Sequence, residues 1–297
     1  MRRLILLLLA VFLLESSCAA ELAPLPLDTF DGGAAFNKDR LHTDKSGVST
    51  YEDDSISVRI WSERVGFEES DGAHIVHYWI ADVKIADPSQ LRSGIAGDVG
   101  KPRSRSMYGI SNHLNAVVAV NGDFYMMRNG CYTVKQSTVL NPYNRDNVDM
   151  LIIDNQGDFH LFTHEESEAA LQAFKGNTYQ VFSFGPNLVR DGKTVADLTN
   201  TGSTVHGETR QPRTAIGQVE PLHYILVVAE GRNARSGGVT MDRLAEYMRS
   251  LGCVQAYNLD GGASSMMYFG DRIISNLTND GERYIGDILY FASIDER

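Results

Sequence analysis

Tyr257-Asn258-Leu259-Asp260-Gly261-Gly262-Ala263-Ser264-Ser265 lies between two largely apolar runs, Cys253–Ala256 and Met266–Phe269. An apolar strand that ends in Asn and Asp, turns on two glycines and re-enters the core places polar side chains at a strand end. The glycines let a bound group come close to backbone N–H donors. An Asp-Gly-Gly turn without chemistry has the same appearance, so the rest of the chain must decide.

Three other segments repeat the pattern. Ala119-Val120-Asn121-Gly122-Asp123-Phe124-Tyr125 ends an apolar run in Asn, Gly and Asp. Gln211-Pro212-Arg213-Thr214-Ala215-Ile216-Gly217 puts an arginine at the start of a strand. Val228-Ala229-Glu230-Gly231-Arg232-Asn233 ends a strand with a carboxylate and an arginine. Strand ends are where ligands bind in open α/β sheets. Arginine forks grip phosphate oxygens, and carboxylates work at an anomeric carbon, so this set suits a sugar bearing phosphate. A lone arginine as a solvated surface charge is the plain alternative.

Further strand-like runs are Ser55–Ser62, His74–Ile85, Met150–Asp154, Tyr179–Phe184, His223–Ala229 and Ile288–Ala292, rich in Val, Ile, Tyr and Phe. Helical spacing appears in Glu165–Phe174 and in Thr240–Leu251, where Met241, Leu244, Ala245, Met248 and Leu251 share a stripe. Thr240 can cap that helix, and Gly252 sits where a left-handed stop belongs. The expectation is an α+β (mixed α/β) domain with a mixed, largely antiparallel sheet and a few flanking helices. Its bounds are 51–297, after a signal peptide at 1–20 and a leader at 21–50 that crosses the surface.

The signal reading rests on Arg2 and Arg3, the apolar run Leu4–Leu14 and the small residues Ser16 to Ala20. That run is shorter than the roughly twenty residues that span a bilayer. A secreted or periplasmic protein follows, tethered to a membrane only if Cys18 is lipidated. Cys131 and Cys253 then remain, either bridged or as two buried thiols. With 43% hydrophobic residues over 297 positions the chain can bury a large core, and its net charge of −11 without a basic run argues against nucleic acid as partner. No P-loop, G-x-G-x-x-G or G-x-S-x-G pattern occurs, so no nucleotide cofactor and no serine elbow is expected. His74 and His77 are three apart in a strand and face opposite ways, which gives no zinc pair. Asp123 and Asp260 could take a hard cation, but no EF-hand spacing supports it, and no metal is assigned.

The segment Asn258 to Ser265, with Gly185-Pro186-Asn187-Leu188-Val189 upstream and Arg213-Thr214-Ala215-Ile216-Gly217, resembles the phosphodiester glycosidase family. Asn121-Gly122-Asp123-Phe124-Tyr125 matches its early Asn-Gly-x-Phe motif. Gly231-Arg232, Thr240, Leu244-Ala245, Met248 and Leu251-Gly252 match a Gly-Arg stretch followed by a helix, and Asn276 with Glu282-Arg283 matches the closing segment. The likeness runs from about Ala116 to Phe291. Ala263 stands where the family has a third glycine, and Glu230 where it has Asp.

The resemblance implies cleavage of a sugar-1-phosphodiester, or a phosphoglycan containing one, to free sugar and a phosphomonoester. Asp260 is then the expected carboxylate at the anomeric carbon, with Asp123 or Glu230 as its partner. Arg213 and Arg232 would hold phosphate, and Asn121, Asn258 and Ser264 would orient hydroxyls. Thr214, Gly261, Gly262, Ser265 and Arg283 complete the expected binding set. Two other readings are a non-catalytic exported glycan-binding domain and a metal-dependent phosphodiesterase. The polar loop Gly202–Arg210 is either a lid that brings His206 to the substrate or an ordinary surface loop.

Overall fold

Alternating burial along strands and turn residues between them produce an α+β domain. The computed structural model describes residues 22–196, 198 and 206–296. The expected signal segment with Cys18, and residues 202–205 of the polar loop, lie outside the described residues. None of the described helices is long and apolar enough to cross a membrane.

Three sheets replace the single sheet expected. The largest has nine strands, in the order Leu41–Thr43, Ser49–Glu52, Ile56–Glu69, Gly72–Ile85, His223–Ala229, Arg213–Glu220, Gln255–Asn258, Asn187–Arg190 and Lys193–Thr194. A five-stranded sheet runs Phe159–Phe162, Met150–Ile153, Gln180–Ser183, Thr133–Lys135 and Thr138–Asn141. Another runs Arg272–Ile273, Met267–Phe269, Ala116–Asn121, Asp287–Ala292 and Leu91–Ile95. Every strand pair named among the described residues is antiparallel, in keeping with the largely antiparallel α+β domain expected.

The sheets meet at Tyr224. Its ring lies 5.4 Å from Phe159 and 5.3 Å from Phe291, one ring from each five-stranded sheet, and its hydroxyl donates to the Gly157 carbonyl at 2.9 Å. Helix Met241–Ser250 covers the large sheet with Met241, Leu244, Ala245 and Met248, the stripe expected from spacing. Thr240 occupies its N-cap position without a side-chain cap bond, so only its carbonyl serves the helix, accepting Leu244 N–H at 3.0 Å. Gly252 follows at φ 89°, the left-handed stop. Shorter helices span Met107–His113 and Ser167–Ala173.

The 21–50 stretch does more than cross the surface, because Leu41–Thr43 and Ser49–Glu52 extend the nine-stranded sheet. Arg92, fully buried, fixes what precedes them by donating to the carbonyls of Pro26 at 3.2 Å and Thr29 at 2.7 Å, and to Ser89 at 3.1 Å. The aperiodic composition of the stretch concealed this, because its docking uses backbone carbonyls. Cys131 and Cys253 are buried free thiols, not a bridge, and burial pushes both pKa values up to about 12.

Replacing Arg92 with Met should leave three carbonyls short of donors and cost about 2–3 kcal/mol. Urea unfolding measures this, and limited proteolysis should cut within residues 22–33 first. An unchanged midpoint would show that the segment docks without the guanidinium.

Candidate active site

A cleft of about 220 Å³ opens at the strand ends, lined by Asp260, Gly261 and Gly262 with Arg213, Arg232 and Arg283. Phe184, His206, Gln211 and Ala263 complete it. Six of the sequence-predicted site residues therefore share one wall-to-wall space.

Asp260 is held by its backbone. Its N–H donates to Gly122 O at 3.1 Å, and its carbonyl accepts Asn121 Nδ2 at 2.7 Å. Asn121 Oδ1 in turn accepts from the Thr214 hydroxyl at 2.8 Å. Asn121 and Thr214 are thus buried supports rather than cleft surface. Asn258 is also turned inward, donating through Nδ2 to Gly185 O at 2.7 Å. Ser264 and Ser265 are buried, and neither hydroxyl oxygen has a fully formed hydrogen bond among the described residues. The carboxylate remains half-buried, and desolvation pushes its pKa above the ordinary aspartate value. The Ser264 hydroxyl beside it, the Arg283 charge, the Gly261 N–H and Arg128 all oppose that rise.

The expected second carboxylate does not reach the cleft. Asp123 is buried beneath it, in an ion cluster with Lys135 and Asp287. Lys135 Nζ lies 3.1 Å from Asp123 Oδ1, 3.2 Å from Asp287 Oδ2 and 3.4 Å from the Phe182 ring centroid. The other Asp123 oxygen accepts Ser183 N–H at 3.1 Å. A Cβ on Gly122 would stand 1.9 Å from Asp287 Oδ2, so glycine is required where the turn crosses that carboxylate. Glu230 is buried as well. Its Oε1 accepts Trp79 Nε1 at 2.7 Å and both Asn276 N at 2.8 Å and Nδ2 at 2.7 Å, and Oε2 lies 3.1 Å from His77 Nδ1. Both positions carry acids because the fold needs internal acceptors there, a use that strand-end placement does not distinguish from catalysis.

The arginines divide by role. Arg213 is 4% exposed and donates to the carbonyls of Val239, His206 and Thr209, so it braces the 206–209 wall. Burial, with the nearby Arg232 charge, lowers its pKa to about 10. Arg232 is exposed, sits at φ 52° and is aimed by Gln211, whose Oε1 accepts its Nε at 2.7 Å. Arg283 is exposed and lies 5.1 Å from the ring centroid of Phe124. Neither Arg232 nor Arg283 forms an ion pair with a described residue, so both cations face the cleft. His206 lines the wall, and Arg210 straps the same segment to Glu69 at 2.5 Å and to Asp71. Among the described residues, Glu69, Asp71 and His74 form the cluster of possible cation ligands, and Arg210 already occupies it.

Sequence reasoning missed Gln211, Phe184, Lys135 and Asp287. Gln211 stood two residues from Arg213, and Phe184 directly precedes Gly185-Pro186-Asn187. A lone lysine in a three-residue strand carries no local signal of its buried partners.

The antiparallel α+β domain thus brings one carboxylate and several guanidinium groups together in a cleft at converging strand ends. The family model for phosphodiester glycosidases matches residues 114–292, more than half of the chain. The chain belongs to the phosphodiester glycosidase family, a family of hydrolases. A search of solved structures gives the zebrafish N-acetylglucosamine-1-phosphodiester alpha-N-acetylglucosaminidase catalytic domain, auto-inhibited by its pro-peptide, at TM-score 0.65 and 15% identity, covering 88% of this chain and 87% of that one. A hypothetical protein from Synechocystis matches at TM-score 0.54 and 16% identity over 83% of this chain and 64% of that one. These two likenesses concern the fold. The SPbeta prophage-derived uncharacterized protein YomE of Bacillus subtilis (strain 168) is 30% identical over 142 residues, 48% of this chain and 22% of that protein. The chain thus matches under a quarter of that relative's length.

Lys135→Met should leave two buried carboxylates without a counter-charge and cost about 3–5 kcal/mol near neutral pH. Burial and the Asp123 charge raise the Asp287 pKa, so its proton stabilises the folded state. Stability therefore falls as pH rises through that value and recovers as pH falls, more steeply in the variant. Urea midpoints across pH test this, and adding Asp287→Asn should restore part of the loss. A pH-independent deficit would refute the ionic account.

Proposed function

We propose that the chain is an exported hydrolase that cleaves the C1–O bond of a sugar-1-phosphodiester, releasing free sugar and a phosphomonoester. The observation that carries this reading is the half-buried Asp260 carboxylate sharing one cleft with the exposed guanidinium groups of Arg232 and Arg283. In the proposed step the C1–O bond breaks, the electron pair leaves with the phosphate, and the Asp260 carboxylate meets the positive charge that develops at C1. Water supplies the new oxygen on C1, and its proton passes to solvent. The departing phosphate is already an anion and needs no proton donor, so a single carboxylate suffices where ordinary glycosides need two. Arg232 and Arg283 grip the phosphate oxygens as charge accumulates there. Export is supported by the basic, apolar and small residues that open the chain.

One finding favours a second reading, a glycan-binding domain without turnover. Asp123 and Glu230, the expected partners of Asp260, are committed to buried networks. Hydrolysis of a panel of synthetic sugar-1-phosphodiesters separates the two. In ¹⁸O-water the label should appear in the sugar. Label in phosphate would point to P–O cleavage, and binding of the panel without hydrolysis would favour the second reading.

Asp260→Asn should lower kcat by at least about a thousandfold while folding normally, because the amide removes a desolvated charge. Its melting temperature should match or exceed the parent's. The raised pKa means that the ionised form is lost at higher pH than for an ordinary aspartate. The acid limb of kcat/KM should therefore lie above the usual carboxylate range, with activity rising as pH increases through it. Near-normal turnover by the folded variant would remove Asp260 from the mechanism.

A further inference from the structure

The reaction proposed for the cleft needs a proton acceptor and not a proton donor. Phosphate leaves as an anion without help, whereas the water that attacks C1 becomes acidic as its oxygen bonds to carbon. Asp260 is given to the charge at C1, so another group has to take the proton. Guanidinium groups hold their protons, and amide side chains are not basic. Among the residues lining the cleft that leaves one further proton-accepting side chain, the imidazole of His206.

His206 is unlike the histidines that serve the fold. His74, His77, His160, His164 and His223 each lie 2.8 to 3.1 Å from a carboxylate. No carboxylate among the described residues pairs with the His206 ring. Glu208, two positions on, lines a different hollow with Glu69 and Asp242. His206 is exposed to solvent and forms part of the cleft wall. Its backbone, by contrast, is held on several sides. The His206 carbonyl accepts Arg213 Nη2 at 2.9 Å, Thr209 N–H at 3.1 Å and the Thr209 hydroxyl at 3.0 Å. The next residue, Gly207, is buried, and its carbonyl accepts Met241 N–H at 2.9 Å. These anchors keep His206 at φ 47°, a left-handed conformation that a residue with a side chain retains only where its surroundings enforce it. A fixed backbone beneath an unpartnered ring suits a side chain reserved for a ligand.

We propose that His206 is a second catalytic residue, the general base for the attacking water. This rests on the reading of the cleft as a sugar-1-phosphodiester site and adds the group that completes its proton balance. The water oxygen bonds to C1, and one of its protons moves to a ring nitrogen of His206. The C1–O bond to phosphate breaks with its electron pair on the departing oxygen. The exposed ring then returns the proton to solvent.

His206→Asn is the informative variant, because asparagine adopts the left-handed conformation but does not take a proton at neutral pH. On the sugar-1-phosphodiester that the parent hydrolyses fastest, its kcat should fall about a hundredfold or more, with KM within about threefold and the melting temperature unchanged. Azide is an anion that attacks C1 without losing a proton, so it should bypass the missing base. In sodium azide, compared with sodium chloride at equal concentration, the variant should release phosphomonoester faster and form the glycosyl azide. The parent should gain little. His206→Gly, which also tolerates the backbone, should be restored in part by imidazole added to the buffer. A raised KM with kcat unchanged would make His206 a phosphate ligand and overturn the assignment. So would a fall in kcat that neither azide nor imidazole lifts. If the parent hydrolyses none of the diesters, the reading of the cleft fails and the base falls with it. If the parent hydrolyses one and His206→Asn matches its rate, the base alone falls.

Discussion

Burying three charged side chains together costs free energy that only their mutual pairing offsets, and the cleft rests on such a cluster. Lys135 belongs to one five-stranded sheet; Asp287 begins an interior strand of the other, and Asp123 lies in the turn that follows that sheet's strand Ala116–Asn121. Their contact ties the two sheets together at the Asn121-Gly122-Asp123 turn. Through Gly122 O and Asn121 Nδ2 that turn holds the backbone of Asp260. The Thr214 hydroxyl adds the nine-stranded sheet to the same point. All three sheets therefore position one carboxylate, and none of the supporting groups has to touch a substrate to matter.

The same division of labour explains why arginines of similar sequence setting differ. Arg213 opens a central strand, so its side chain is enclosed, and its N–H groups satisfy carbonyls of the wall beside it. Arg232 follows a strand in a left-handed conformation that throws its side chain outward, where Gln211 steadies it without neutralising it. A neutral steadying group preserves the positive charge for a ligand. A carboxylate in the place of Gln211 would cancel it.

What the sequence made legible follows from what each signal measures. Continuous apolar runs report burial, and strands such as His223–Ala229 and Ala116–Asn121, buried along nearly their whole length, lie where those runs are. Gly252 and the Met241–Met248 stripe report local backbone and one buried face, and both recur in the structure. The division into three sheets was not legible, because pairing joins segments far apart in the chain, such as Ile288 with Asn121. Strand-end position located Asp260 and the Gly261-Gly262 turn, but it carries no information about depth. Asp123 and Glu230 stand at strand ends too, and only the packing of Lys135, Trp79 and Asn276 against them distinguishes an internal acceptor from a group that meets ligand.

The loss of those two acids from the cleft bears directly on chemistry. With Asp260 as the carboxylate that faces the cavity and Arg232 and Arg283 beside it, the described side chains favour negative charge arriving from outside. A neutral glycoside would bring no such charge and would still need a proton for its leaving oxygen, which no second acid in the described cleft supplies. A phosphodiester supplies its own charge and leaves as a stable anion. In the proposed reaction the cationic surface that draws the diester in would also stabilise the phosphate as its charge grows during cleavage. Binding and bond cleavage would then call on one set of guanidinium groups, with the carboxylate left to serve carbon alone.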